Sequence, residues 1–179
     1  MPAYTIRIAT PLDTEGIVST IKEVYDEYNF EWEPEGYHAD LYDLEGKYIA
    51  LGHTFWVAEQ DGQIVGTGAL ERFPAIPGPA KTIVEFEGKR RIGGCDSSIE
   101  RVYVRPSARR QGIGKAISQV VFETAREEKL NLVEIWSDKR FKEAHQMYQA
   151  FGAQQVGDRL CHDPEQSPEW GFVLDLSIH

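Results

Sequence analysis

The stretch from Ser97 to Trp136 constrains this chain more than any other. Ser97 to Val104 is rich in β-formers and reads as a strand, closed by Pro106. Gly112 to Lys129 places Ile113, Ile117, Val120 and Val121 on one helical face. Leu132 to Trp136 is a short apolar run of the buried-strand type. A strand, helix and strand in this order demand a parallel pair joined by a right-handed crossover. The hand-over from the first strand to the helix reads Arg109-Arg110-Gln111-Gly112-Ile113-Gly114-Lys115-Ala116. A helix N-terminus leaves backbone N–H groups unpaired and carries partial positive charge. It holds phosphate where backbone can come close. Gly112 and Gly114 have no Cβ to block that approach, Arg109, Arg110 and Lys115 add charge, and Gln111 adds an amide. The spacing is neither that of the P-loop nor that of the three-glycine dinucleotide turn.

Around this unit the remaining elements fall into place. Tyr4 to Ala9 alternates as a first strand, and Thr10-Pro11 suits the start of a helix. Ile17, Ile21, Val24, Tyr25 and Tyr28 then recur at helical spacing, predicting a helix over about 12–28. His38 to Gly46 reads as a short acidic helix. Thr54 to Glu59 and Gln63 to Arg72 are strands joined by the hairpin turn Asp61-Gly62, and Gly66 and Gly68 inside the second suggest a bulge or a close backbone approach. Thr82 to Phe86 reads as a short strand and Gly88 to Gly94 as a basic turn. Phe141 to Phe151 is a helix ended by Gly152. Val156 lies in a strand, Asp163 to Pro168 in a loop, and Phe172 to Ile178 forms the last strand. The expected fold class is α/β (α+β): a mixed, mostly antiparallel central sheet of about six or seven strands with a β-α-β core and helices on both faces.

With 179 residues, the expectation is a single domain over 1–179. The formal net charge of −10 opposes general nucleic-acid binding, which needs a basic surface. Acidic residues crowd the first half, whereas Arg90, Arg91, Arg101, Arg105, Arg109 and Arg110 crowd the middle. A cationic patch on an acidic protein points to one specific anionic ligand. No apolar run approaches a membrane span. Met1-Pro2-Ala3-Tyr4 does not open a signal peptide, and Cys95 and Cys161 read as free thiols of a reducing compartment. A cytoplasmic location follows as an expectation. The five histidines lack ligand spacing, so no metal is expected.

At these residues the sequence resembles the GNAT superfamily of N-acetyltransferases. Its signature, Arg/Gln-x-x-Gly-x-Gly/Ala, is met by Arg109, Gly112 and Gly114. Glu100-Arg101-Val102-Tyr103-Val104-Arg105-Pro106 resembles the family's central strand and exit. The run from Ala144 to Ala153 resembles its last helix and the turn after it, and Ile64-Val65-Gly66 with Asp61-Gly62 its second and third strands. The resemblance covers roughly residues 4–160 in order. It implies an enzyme, an acetyl-CoA-dependent N-acetyltransferase that moves an acetyl group directly to a primary amine. Backbone of Val102, Tyr103 and Val104 would pair with the pantetheine arm, and backbone N–H groups of Arg110 to Lys115 would hold the pyrophosphate. The implied coenzyme site also takes in Ile113, Ala116, Ser137, Phe141 and Ala144. Many members carry asparagine where Phe141 stands, so either Ser137 or Asp138 would take over its contact with the pantetheine or the contact would be lost. Many also carry glutamate where Ser98 stands.

The chemistry needs a route for the amine proton, a donor for the oxyanion and an acid for the leaving thiolate. Glu100 is the first candidate for base, or else it is exposed or pairs with Arg101. His145, Glu71 and His53 follow. Tyr148 is the candidate acid near the sulfur, and it also belongs to the packing stripe Phe141, Ala144, Tyr148 and Phe151. Tyr28, Trp32, Tyr37 and Trp170 are the candidate acceptor-binding residues, where aromatic and acidic groups together suit an ammonium. The acceptor is expected to be a small-molecule amine. A peptide or protein amine is the alternative within the class, and a CoA-binding sensor or interaction module without turnover is the alternative outside it. Neither nucleic acid nor membrane is expected as a partner. A last strand left exposed could pair with a second copy as a homodimer.

Overall fold

The structure is a computed structural model that describes residues 3–178. Met1, Pro2 and His179, which the single-domain expectation and the reading of the N-terminus include, lie outside the described residues. The chain divides into two compact units, one of residues 1–71 and 100–121 and one of residues 72–99 and 122–179.

In chain order the strands are β1 (Thr5–Ile8), β2 (Thr54–Gln60), β3 (Gln63–Arg72), β4 (Ile83–Phe86), β5 (Lys89–Ile92), β6 (Ser97–Val104), β7 (Leu132–Asp138), β8 (Gln154–Leu160) and β9 (Pro168–Asp175). The helices are α1 (Thr14–Glu27), α2 (Ile113–Glu127) and α3 (Lys142–Ala150). The seven-stranded sheet has the order β1-β2-β3-β6-β7-β9-β8, and β4 and β5 make a separate hairpin. The β6–β7 pair is parallel, as the crossover requires, while β1–β2, β2–β3, β7–β9 and β8–β9 are antiparallel. This is the mixed, mostly antiparallel sheet expected from the sequence.

The first unit owes its form to an irregularity in β3. Glu59 pairs with Ile64 but Ala58 pairs with Gly66, so Val65 is an extra residue, a β-bulge. Side chains alternate along a strand, and one inserted residue exchanges the two faces. Ile64 therefore meets α1: a Cβ on Gly16 would lie 2.8 Å from Ile64 Cδ1, and Thr20 Oγ1 donates to the Ile64 carbonyl at 2.9 Å. Gly66 and Gly68 turn instead to α2. A Cβ on Gly66 would lie 2.7 Å from Ile113 Cγ2, and one on Gly68 would overlap Ile117 Cγ2. The close approach suggested by the two glycines is thus the seat of α2 on β3. The core of this unit gathers Ile17, Ile21 and Tyr25 of α1 with Leu41, Leu44, Tyr48, Phe55, Val57 and Ala69.

Gly68→Ala should therefore lower stability by about 1–3 kcal/mol, the usual cost of overpacking. An Ile117→Ala background, which removes the clashing branch, should reduce that cost. Denaturant midpoints of the two single variants and the double variant measure the coupling, and additive effects would refute the contact.

In the second unit Ile76, Ile92, Cys95, Leu132 and Val173 form the core, flanked by Phe73, Ile83, Val84, Phe86, Trp136 and Val156. Phe122, at the C-terminal part of α2, packs edge-on to Phe151 at 5.1 Å and to Tyr148 at 6.5 Å.

Several elements differ from expectation. The basic run after Gly88 is a strand, β5, not only a turn. It is held because the buried Glu134 carboxylate accepts from Arg91 Nε at 2.8 Å and from the Ile92 N–H at 2.7 Å. The turn of that hairpin is Glu87-Gly88, with φ of 50° and 78°, matching the 52° and 76° of Asp61-Gly62. Both residues of each turn are left-handed, the type I′ geometry that suits hairpin twist. The region 38–46 is not one helix. A 3-10 turn over Ala39–Tyr42 is followed by a π turn over Glu45–Ile49. Asp43 Oδ1 accepts from the Gly46 N–H at 2.9 Å, which restarts the chain between the two. The first helix begins at Thr14 after a 3-10 turn over Pro11–Asp13. The last strand begins at Pro168, because Glu169 and Trp170 pair with Asp138 and Ser137 of β7, and it ends at Asp175.

Candidate functional site

The loop before α2 turns left-handed at Arg110 (φ 65°) and Gly112 (φ 78°). Left-handed residues alternating with others turn successive N–H groups into one concavity that suits an anion. The first helical bond runs from the Ala116 N–H to the Gly112 carbonyl at 2.9 Å. By position, the N–H groups of Ile113, Gly114 and Lys115 then point off the helix start. A Cβ on Gly112 would meet nothing within 4 Å, and one on Gly114 only Val104 Cγ2 at 3.6 Å. The glycines therefore face open space, the cradle a pyrophosphate requires. Arg110, Gln111 and Lys115 are exposed, Ala116 is half-buried and Ile113 is core. Arg109 pairs with Glu27 at 2.8 Å, and the Gln111 amide oxygen accepts from Gln60 at 2.8 Å. Of the expected side-chain donors, Arg109 is thus engaged by an acidic partner, while Gln111 takes part through its oxygen.

The central strand holds an unusual residue. Arg101 lies within β6 at φ 54°, left-handed without being glycine. Such a residue stores strain of about 1–3 kcal/mol and needs its surroundings to hold it. They do so twice. Its carbonyl accepts from Thr67 Oγ1 at 2.7 Å. Its side chain, 9% exposed, binds Asp40 through Nε at 3.1 Å and Nη2 at 2.7 Å. Nη2 also donates to the Tyr37 carbonyl at 2.7 Å, and the Tyr37 ring packs 4.7 Å from the guanidinium carbon. The Tyr48 hydroxyl donates to Asp40 as well, and burial, then the Asp40 charge, pushes that phenol far above its ordinary range. Arg101 pairs with Asp40, and Glu100 is half-buried beside it. Val102, Tyr103 and Val104 continue β6, half-buried, and Ser98 is buried.

The expected acceptor residues of the first unit come together partly. Trp32 stacks on His38 at 3.8 Å and meets Tyr25 edge-on at 5.4 Å, and its Nε1 donates to the Tyr42 hydroxyl at 3.0 Å. Tyr25 in turn lies 6.0 Å from Tyr103. Tyr28 stacks on Phe30 at 5.3 Å. Trp32 and Tyr37 thus border the buried network around Arg101, which sequence reasoning missed. The signal for it was an arginine inside a strand, next to Glu100 and Val102.

In the second unit, Tyr148 is 5% exposed and lies 6.4 Å from Phe172, so its ring has the packing role the stripe suggested. Phe141 precedes α3 as its cap residue, and Ala144 is half-buried. Ser137 Oγ lies 3.1 Å from His145 Nε2, which also approaches the Asp138 carbonyl at 3.0 Å. Burial holds His145 below the ordinary histidine range. Asp138 is engaged by Arg140 at 2.6 Å. The Trp170 ring lies under Lys139 Nζ at 3.8 Å. Cys95 and Cys161 are buried free thiols, and burial, then the Glu134 charge, pushes the Cys95 thiol well up. That disfavours a thiolate nucleophile at neutral pH. Among the described residues, no helix is long and apolar enough to cross a membrane, and no group of three or more histidine, cysteine, aspartate or glutamate residues could hold a metal ion.

Comparison with known proteins agrees with this geometry. Residues 21–153 match the acetyltransferase (GNAT) family model. A mouse N-acetyltransferase 8 is 30% identical over 122 residues, which are 68% of this chain and 48% of that protein. The uncharacterized N-acetyltransferase YjgM of Escherichia coli is 25% identical over 154 residues, 84% of this chain and 82% of that one. The chain spans about half the length of several curated relatives it matches. Among solved structures, a GNAT acetyltransferase from Staphylococcus aureus superposes with a TM-score of 0.73 at 20% identity, covering 97% of this chain and 99% of that one. YncA of Salmonella typhimurium, solved with its cofactor acetyl-CoA, gives 0.71 at 16% identity, covering 99% and 96%. The chain belongs to the GNAT acetyltransferase family.

Proposed function

We propose that this chain is an acetyl-CoA-dependent N-acetyltransferase acting by direct transfer on a primary amine of a small molecule. The observation that carries this reading is the open glycine face of the α2 N-terminus, with left-handed Arg110 and Gly112 before it. Backbone N–H groups from Arg110 to Lys115 hold the pyrophosphate, and backbone of Val102 to Val104 pairs with the pantetheine arm. Ser137, Phe141 and Ala144 line that arm further along. The coenzyme supplies an activated acetyl group as a thioester. Amide N–H groups of β6 around the left-handed Arg101 orient and polarise the acyl carbonyl. Glu100 takes the ammonium proton, directly or through an ordered water, since only the neutral amine attacks. Tyr148 gives a proton to the departing sulfur. Tyr28, Trp32, Tyr37 and Trp170 contact the acceptor.

Screening with acetyl-CoA and an amine library tests the reading. The expected results are a raised melting temperature with the coenzyme and turnover of at least one amine. Tyr148→Phe should keep the coenzyme-dependent shift and lose about 100-fold in kcat. An unchanged kcat would remove Tyr148 from the role of acid.

A further inference from the structure

The guanidinium of Arg101 has one donor group more than the protein uses. Nε and Nη2 are taken by Asp40 and the Tyr37 carbonyl. Nη1 is buried and has no hydrogen-bond partner among the described residues. A buried N–H without an acceptor is costly, and in a network otherwise so fully bonded it marks the place of a missing acceptor. The residue lies on the strand that the proposed function assigns to the thioester. It is bordered by Tyr37, and by Tyr48, whose hydroxyl shares Asp40.

Charge decides what kind of acceptor fits. Asp40 already neutralises Arg101, and the Tyr48 hydroxyl that shares Asp40 is uncharged. A carboxylate at Nη1 would add an uncompensated negative charge to a buried network, which is expensive. A neutral carbonyl oxygen would complete the donor set and leave the balance at zero.

We propose that Arg101 Nη1 binds a neutral carbonyl oxygen of the acyl acceptor, so that the substrate is an amine carrying an amide carbonyl, as in an α-amino amide. This rests on the acetyl-transfer reading above. The half-buried Tyr37 ring, packed over the guanidinium, moves aside to admit the acceptor. The surrounding rings favour an apolar substituent on it.

Matched acceptors test the proposal: leucinamide, leucine and 3-methylbutylamine, with the phenylalanine series beside them. Rates are expressed per free-base amine, because the three ammonium groups ionise differently. In the unmodified protein kcat/KM for the amide should exceed that for the carbonyl-free amine by at least about 10-fold, and should exceed that for the free acid. In Arg101→Gln/Asp40→Asn, which leaves no charge buried, the ratio of amide to amine should fall toward 1. A short peptide with N-terminal leucine separates the two sources of such a carbonyl. Turnover comparable to leucinamide assigns it to chain termini, and turnover of leucinamide alone assigns it to small molecules. Equal use of amide and amine by the unmodified protein overturns the proposal even if the double variant does not fold. So does a preference for the free acid, which would make Nη1 an anion site. Turnover of amines without preference sinks only this inference. Coenzyme binding without turnover of any amine sinks the proposed function itself.

Discussion

Replacing Gly112 and Gly114 together with aspartate should abolish the thermal shift that acetyl-CoA gives. Three effects act in one direction. Two carboxylates would stand at the proposed pyrophosphate site, and like charges at close range cost several kcal/mol in a site of reduced dielectric. The new side chains would fill the open space that now faces the ligand. At Gly112, with φ of 78°, any Cβ also adds backbone strain of about 1–2 kcal/mol. Aspartate tolerates left-handed backbone better than most residues, and its Cβ at 112 meets nothing within 4 Å, so the fold should survive. The measurement is a titration of acetyl-CoA against melting temperature and heat of binding. A loss of at least about 100-fold in affinity, or about 2.7 kcal/mol, is expected. Binding unchanged in the double variant would refute the assignment of the phosphate site.

The second large effect is on stability. Asp40→Ala should cost about 3–5 kcal/mol, because it leaves the buried Arg101 charge without its partner. The Tyr48 hydroxyl loses its acceptor in the same step. Of a total stability of about 5–15 kcal/mol, that is a large fraction. An apolar pair of similar volume, Asp40→Leu with Arg101→Met, should recover most of the loss, since breaking a buried pair costs more than replacing it. Denaturant midpoints measure both. A loss in Asp40→Ala below about 1 kcal/mol, the value of an exposed pair, would show that Arg101 reaches water after all.

These two predictions also mark how far the sequence could be read. The open glycine face at the start of α2 was legible because everything it needs is local: two glycines, a helix start and the charges around it lie within eight residues. The Arg101–Asp40 pair was not legible. Asp40 is one of many acids crowding the first half of the chain, and nothing near it in sequence says which of them faces an arginine 61 positions away. The same division holds for the fold. The turn Asp61-Gly62 announces its hairpin, because two left-handed residues between alternating strands are a local demand. Lys89 to Ile92 gives no such announcement. Its three basic residues do not alternate with apolar ones, and it is fixed as a strand partly by the buried carboxylate of Glu134, 43 residues beyond Arg91. The 38–46 region was misread because its acidic residues look like a solvated helix face. In the structure Asp40 turns inward to Arg101 and Asp43 closes the turn at Gly46.

The bulge at Val65 acts as a parity switch. On one side of it the strand presents Ile64 to α1, and on the other Gly66 and Gly68 to α2. Removing Val65 alone would restore regular pairing and leave both faces as they are, whereas removing another residue of β3 would do more than shorten the strand. It would turn the part beyond the cut to the opposite face: loss of Thr67, for example, would swing Gly68 away from Ile117 of α2. Away from Val65 this strand can therefore drift by substitution but not by insertion or deletion, and its slack in length is confined to one position.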